Sequence, residues 1–398
     1  MTAMSTTEPT STTRKRRSAL GMMSFSHVVD DMYQGAVPAL LPFFVLYQGW
    51  GYTAATGITL AATVLSSVAQ PLFGLAADRW RLRWLSPVGL LVAGLGIGLS
   101  GIVDSYAWTW AAIALSGLGV AAYHPVAASA VRALAGSSAQ GMSWFSVGGN
   151  IGQAVGPLAV APVVLSFGLV GTPILAIPAI ITALAMALLR RTLDPRPPAP
   201  KGGRKIADNA EPDDWSSFLR LTLMVIMRSI ATLGTTSLLG LSMIDRFSMD
   251  TSHASLLLTG FFTVGACATI TGGWAADRWS KVGVSRVSYA IAIVAAASLV
   301  VAPTVWLAIA ATALLAVGLF LSFAVQTTLA QGYLPNRIGT ASGVALGVAM
   351  SVGGIVAPGL GWVSDTYGVQ WAQALIVVFP LLALLIALTL PENPRQRH

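Results

Sequence analysis

Charge is what this sequence has least of. Charged residues make up 10% of its 398 positions, and 55% are apolar. A soluble domain carries about 25% charged residues, so a chain of this composition cannot dress a water-exposed surface of its size. Cysteine is nearly missing: Cys267 stands alone, which excludes an intrachain disulfide. Histidine occurs only four times, with no pair at metal-binding spacing, so no metal site is expected. No GxxxxGK[ST] loop is present, which removes ATP-driven pumping, and no nucleophile motif supports an integral-membrane enzyme. No cofactor is expected; a proton gradient would be the energy source. A non-transporting receptor stays open at this level.

Long apolar runs fill the chain instead. Each is about 20 residues or more, enough to cross a bilayer core. Backbone groups in lipid must satisfy their own hydrogen bonds, so each run is predicted to be a helix. Barrel strands would alternate apolar and polar residues over about ten positions, and these runs do not. Twelve spans are predicted, at 20–47, 53–77, 85–103, 107–133, 139–166, 170–190, 217–244, 254–276, 284–302, 305–330, 338–364 and 368–390. The fold class is all-α integral membrane. The net charge of +8 is distributed by side. Arg14 to Arg17, Arg79 to Arg83, Arg132, the 190–220 region, Arg278 to Arg286, Arg337 and the C-terminal arginines all fall on one side of a twelve-span chain, and Arg246 alone falls on the other. Basic loops stay cytoplasmic, which places both termini in the cytoplasm of an inner-membrane protein. The same distribution argues against a nucleic-acid partner. The expected partners are the bilayer and a small solute.

The chain also repeats itself. GLAADRW at 74–80 returns as GWAADRW at 273–279, an offset of 199 residues, and at that offset Gly35 meets Gly234 and Gly119 meets Gly318. Two six-helix halves follow: a disordered basic tail at 1–18, an N-terminal bundle at 19–190, a Pro/Gly-rich cytoplasmic linker at 191–216, a C-terminal bundle at 217–390 and a tail at 391–398.

Span one carries the densest polar set. His27, Asp30, Asp31 and Gln34 share an arc of about 100° on a helical projection. They lie about 12–20 Å into the span at 1.5 Å per residue. Charge at that depth is costly unless paired or wetted. Two adjacent buried carboxylates are rarely both ionised without a cation nearby, which makes Asp30 and Asp31 candidate proton carriers; a structural ion pair is the plain alternative. His124 in span four, Arg132 two turns beyond it, Arg228 in span seven and Gln326 in span ten lie at comparable or neighbouring depths. The offset maps Val29 onto Arg228, which predicts that Asp30 and Asp31 face Arg228 across the central axis, with Thr232 continuing the Arg228 face. In span five, Gly148, Gly152 and Gly156 line one side for close helix approach. Ser143, Ser146, Asn150 and Gln153 gather on another side, toward water.

Three motifs carry a family resemblance. SFSHVVDDMYQ at 24–34, AAYHP at 121–125 with Arg132 after it, and SVGGNIGQAVGP at 146–157 resemble the fosmidomycin resistance protein family, a branch of the major facilitator superfamily. The resemblance implies an inner-membrane exporter, with both halves flanking a midplane site and His27, Gln34, Tyr123, Asn150, Gln153, Arg228, Thr232 and Gln326 as substrate contacts. Proton coupling is expected through Asp30, Asp31 and His124, and the resemblance implies a cytoplasmic gate at Asp78 and Arg79, with Arg132 and the repeated Asp277 and Arg278. By the same resemblance the chain is a monomer. Departures stand at Asp30, Val126 and Ser129, where the family pattern has Asn, an acidic residue and Arg; they shift weight toward neutral or cationic substrates. The expected function is proton-coupled export of a small drug or metabolite such as a fosmidomycin-like compound, with an uptake symporter as the alternative.

Overall fold

The computed structural model describes residues 11–80, 82–135, 139–193, 212–335, 337, 341, 344 and 349–392. In order, the helices are α1 (Ser11–Gln48), α2 (Tyr52–Trp80), α3 (Leu85–Leu99), α4 (Tyr106–Ala135), α5 (Ala139–Phe167), a 3-10 turn (Leu169–Ala176) running into α6 (Ile177–Leu193), α7 (Trp215–Phe247), α8 (Thr251–Arg278), α9 (Lys281–Val301), α10 (Val305–Phe320), α11 (Phe323–Tyr333), α12 (Ala349–Tyr367) and α13 (Val369–Thr389). Counting the 3-10 turn with α6 and α10 with α11 gives twelve crossings. Among the described residues nine stretches are long and apolar enough to span a membrane by themselves, and α3 is a shorter apolar helix.

Two expected boundaries change. α1 begins at Ser11, so Arg14 to Arg17, expected in a disordered tail, ride on the first helix. Arg16 Nε donates to the carbonyl of Leu134 near the end of α4, a cation placed where a helix exposes unpaired carbonyls. The tenth span is broken at Leu321 and Ser322 and resumes as α11 through Tyr333.

Large apolar side chains face outward along the helices: Leu188 is 78% exposed and Trp306 77%. That distribution suits lipid and would be an aggregation hazard in water. Exposed tryptophans gather at helix ends, among them Trp84, Trp108, Trp215, Trp306 and Trp371, where amphipathic rings settle at the lipid–water boundary.

The repeat is visible in three dimensions. In the N-terminal half Gly119 of α4 presses on the backbone of Ala93 in α3; in the C-terminal half Gly318 of α10 presses on Ala292 in α9. Both pairs sit at the same offset. Gly49, with φ 68°, ends α1, and Ser248, with φ 51°, ends α7 at the equivalent place. Ser248 is the only non-glycine residue with positive φ among the described residues, so the chain reversal was kept where its glycine was not.

The halves meet along α2 with α12 and α5 with α8. At the end of the molecule where α1 passes to α2, Asp365 of α12 caps α2. Its carboxylate accepts from the Tyr52 amide at 2.7 Å, the Thr53 amide at 2.8 Å and the Thr53 hydroxyl at 2.6 Å. Nearby, the hydroxyls of Thr59 and Ser237 are 2.9 Å apart. One large buried apolar cluster runs through both halves.

Candidate functional site

The polar set of α1 follows from spacing. His27, Asp31 and Gln34 are separated by one helical turn each, so they share a face. That face is turned toward α4 and α5, and the residues there are buried: Asp30 is 0% exposed, Asp31 5% and His27 7%. α5 reaches α1 closely because Gly148 and Gly152 rest on the backbone of Ser24 and Val28, and Gly156 on that of Gly35. The glycine stripe is therefore a packing seam between α5 and α1. Gly149 stands beside it, and a Cβ there would lie 2.6 Å from Asp31 Oδ2 and 2.8 Å from His27 Cε1. Glycine at 149 makes room for the cluster.

Two histidines, 97 residues apart in sequence, meet in this space. His27 Nε2 and His124 Nε2 are 3.2 Å apart. Contrary to the expectation from their spacing, the two histidines share a site, because α1 and α4 are neighbours in the bundle. Each ring is held by its other nitrogen. His27 Nδ1 donates to the Phe145 carbonyl at 2.7 Å, with the Phe145 ring stacked on the imidazole at 4.0 Å. His124 Nδ1 donates to the Val120 carbonyl at 2.9 Å. Carbonyls only accept, so both Nδ1 atoms carry hydrogen and both Nε2 atoms are left facing the cluster. Asp31 completes it: Oδ1 lies 3.1 Å from His124 Nε2, Oδ2 lies 3.6 Å from His27 Nε2, and Gln34 Nε2 donates to Oδ1 at 2.6 Å. If both imidazoles were neutral and Asp31 ionised, three lone-pair groups would converge with nothing between them. A shared proton or another cation removes that conflict.

Asp30 adds a second carboxylate. Its Oδ2 is 3.4 Å from His124 Nδ1, yet among the described residues neither oxygen has a hydrogen-bond partner. The Nδ1 hydrogen is committed to Val120, so the contact with Asp30 is electrostatic only.

The expected pairing of Asp30 and Asp31 with Arg228 is not what the fold makes. Both carboxylates lie within 4 Å of histidines of their own half. Arg228 is buried at 3% exposure in the other half, where its Nε donates to Gln326 Oε1 at 2.9 Å and its guanidinium lies 4.8 Å from the centre of the Phe323 ring. Gln326 in turn donates to the Tyr289 hydroxyl and, at 3.0 Å, to Ser322. Among the described residues no carboxylate reaches Arg228. A helical projection gives the face a residue occupies; it does not say which neighbour covers that face.

The remaining expected residues divide. Thr232 is half-buried and donates to the Arg228 carbonyl at 2.9 Å, a bond within its own helix. Tyr123 is wholly buried, with its hydroxyl 2.6 Å from that of Ser26. It supports α1 from behind the cluster and does not line open space. Asn150 and Gln153 are half-buried, and Ser146 is exposed. Arg132, Asp277 and Arg278 are exposed at helix ends, with Arg278 5.8 Å from the Trp274 ring. The side chains of Asp78, Arg79 and Ser143 lie outside the described residues.

Phe145, Gly149, Tyr289, Phe323 and Asp365 were not expected. The repeat could have found Phe323, which sits at the offset position of His124. Nothing in the sequence marked Asp365, because its partners are backbone amides.

The sequence profile described as Major Facilitator Superfamily matches residues 23–358. The chain belongs to this superfamily. Members of the superfamily are secondary-active transporters of small solutes, not enzymes, and this one is a multi-pass protein of the bilayer. It is 28% identical over 396 residues to the fosmidomycin resistance protein of Escherichia coli (strain K12), covering 96% of this chain and 95% of that protein. It is 30% identical over 388 residues to an uncharacterized MFS-type transporter, YfnC, of Bacillus subtilis (strain 168), covering 95% and 93%. Among solved structures it is similar to a bacterial homolog of the human lysosomal transporter Spinster, inward-facing and unoccupied, with TM-score 0.77, 14% identity and coverage of 94% and 98%. It is also similar to a POT family transporter, with TM-score 0.76, 13% identity and coverage of 93% and 94%. The two structural likenesses carry the superfamily's fold of two six-helix halves.

Proposed function

We propose that this transporter is a proton-coupled exporter of a small drug or metabolite, working by alternating access in the inner membrane with both termini in the cytoplasm. The observation that carries the reading is the buried His27–Asp31–His124 cluster between α1 and α4. It needs a shared cation to be stable, and it lies where a span would otherwise be apolar. A proton held there and released on substrate binding couples the two fluxes. Asp30 supplies a second carboxylate beside the same proton. The direction is inferred from the relationship to the fosmidomycin resistance protein.

In this reading Arg228 and Gln326 form the substrate-facing polar group of the C-terminal half, with Gln34, Asn150, Gln153 and Thr232 beside the path between the halves. Asp78, Arg79, Arg132, Asp277 and Arg278 stand at the cytoplasmic end as its gate. The domain division is two bundles at 19–190 and 217–390 joined by the 191–216 linker, in a monomer.

The test is fosmidomycin sensitivity of an efflux-deficient bacterium expressing the chain or its Asp31→Asn variant at matched membrane levels, followed by flux in proteoliposomes under an imposed proton gradient. Protection by wild type with loss in Asp31→Asn, flux falling to background, is the expected result. Full activity in the variant removes the proton-carrier role. Accumulation of substrate on the proton-entry side reverses the direction and makes the protein a symporter.

A further inference from the structure

We propose that His27 Nε2, His124 Nε2 and the Asp31 carboxylate form a three-ligand site for a divalent first-row transition cation of the Zn2+ or Co2+ type. The site uses the cluster described above but does not rest on proton-coupled export, since cation binding is read without any transport.

The ligand set is the first reason. Two imidazoles and a carboxylate are the nitrogen and oxygen donors that such cations take, and catalytic or exchangeable sites hold three protein ligands with a fourth position open. One ligand atom from each of the three residues lies within 4.8 Å of the others.

The spacing is the second. Metal–nitrogen bonds of about 2.0–2.1 Å arranged tetrahedrally put neighbouring donor atoms about 3.3 Å apart. The separations here are 3.2 Å between the two Nε2 atoms, 3.1 Å from His124 Nε2 to Asp31 Oδ1 and 3.6 Å from His27 Nε2 to Asp31 Oδ2. The two Nε2 atoms match one edge of a coordination tetrahedron, and the Asp31 carboxylate turns a different oxygen to each ring at similar range, so one carboxylate serves both imidazoles. The His124 side chain is 22% exposed, so the fourth corner can reach solvent or a bound solute on that side.

The outer contacts are the third. Metal-bound histidine usually donates its second nitrogen to a carbonyl or carboxylate, which fixes the tautomer and the ring. Both histidines do so, to Phe145 and to Val120. Gln34 holds the Asp31 oxygen in the same way. The structure therefore turns both Nε2 atoms toward the cluster by construction, from two helices, α1 and α4, that pack together for independent reasons.

Asp30 is the fourth. It is fully buried, both oxygens lack a hydrogen bond among the described residues, and it stands one residue from a ligand and 3.4 Å from the ring of another. A carboxylate in that position is costly without a nearby positive charge. A dication beside Asp31 would offset both carboxylates together.

The experiment uses the full-length protein, purified in detergent with any affinity tag removed, and Co2+ as the probe. One equivalent of Co2+ should give the visible absorption of a tetrahedral nitrogen/oxygen site, displaced by Zn2+. His27→Gln and His124→Gln should each weaken binding by more than the about 10–100-fold that follows from losing an outer partner. His253→Gln, which alters the exposed His253–Asp250 pair, should leave it unchanged. Absence of the spectrum in wild type, or its persistence in both ligand variants, overturns the proposal. If the variants do not fold, zinc X-ray absorption on wild type decides: two imidazoles in the first shell support the site, and one or none overturns it. Proton-driven export that fails while the Co2+ site survives counts against the transport reading alone, and the reverse counts against the metal site alone.

Discussion

In the N-terminal half the first and fourth spans bury two carboxylates and two imidazoles between them. In the C-terminal half the equivalent spans bury a guanidinium and an amide, at Arg228 and Gln326, with the Tyr289 phenol of α9 beside them. The backbone frame is common to both: the Gly119–Ala93 and Gly318–Ala292 contacts, and the left-handed residues Gly49 and Ser248, occupy matching places. Even the closest site positions correspond, since His124 and Phe323 are at the same offset and each covers the polar residue of its partner helix. A duplicated scaffold has thus been given opposite polarities. One half suits a cation and the other suits electron-rich groups, and the two need not touch to act on one solute. No Asp31–Arg228 ion pair forms because each group is held within its own half, Asp31 by His27, His124 and Gln34, and Arg228 by Gln326 and the Phe323 ring.

This division can be broken by experiment. Arg228→Gln is expected to reduce flux by about 10–100-fold, the value of a hydrogen bond to a charged group, with the Co2+ spectrum of the N-terminal half unaltered. If that substitution also removed the spectrum, the halves would be one site and the division would fail. A second test concerns the shared frame. Gly119→Val and Gly318→Val force a side chain against helix backbone in either half. Each should cost about 1–3 kcal/mol, seen as similar drops in melting temperature; a loss confined to one half would show that the frames are not equivalent.

Smaller effects come from the helix starts, where the halves differ in kind. Asp250 caps its own helix α8, accepting from the His253 amide at 3.0 Å, and that bond holds its carboxyl below the usual range. At the matching position α2 has Gly51, and the cap comes from Asp365 across the interface. Asp365→Ala should remove about 1 kcal/mol from the closed arrangement of that end, several-fold in the open-to-closed ratio, read by spin-label distances between α2 and α12. Asp250→Ala should leave those distances unchanged. The smallest effect belongs to Asp214, the cap of α7, which accepts from the Ser217 amide at 3.0 Å. Its carboxyl is held low, first by the Ser217 hydroxyl and then by that amide. Because its folded value lies below its unfolded one, the cap contributes above the unfolded value and is lost as pH falls through the folded one. Asp214→Ala should lower the melting temperature slightly at neutral pH and not at all in strong acid.

The span count, the two halves and the polar face of α1 were legible in the sequence because each rests on a periodicity: apolar length, the 199-residue offset and the helical turn. The face of α1 was readable since His27, Asp31 and Gln34 are charged or polar in an apolar run. What covers that face was not. Helix neighbours are set by bundle packing, so the sequence offered His124 and Arg228 alike as partners of that face, and only His124 lies there. The expectation of no metal site rests on the separation of the histidines along the chain, and His27 and His124, 97 residues apart, meet in the bundle.

The cap that α2 borrows from Asp365 makes the stability of a helix depend on its distance from another half of the molecule. Whenever α12 withdraws at that end, the amides of Tyr52 and Thr53 lose their acceptor and must turn to water or fray. Opening there is therefore partly a local unfolding event, and amide exchange at these two residues becomes a clock for the transport cycle: slow while the end is shut, fast each time it parts.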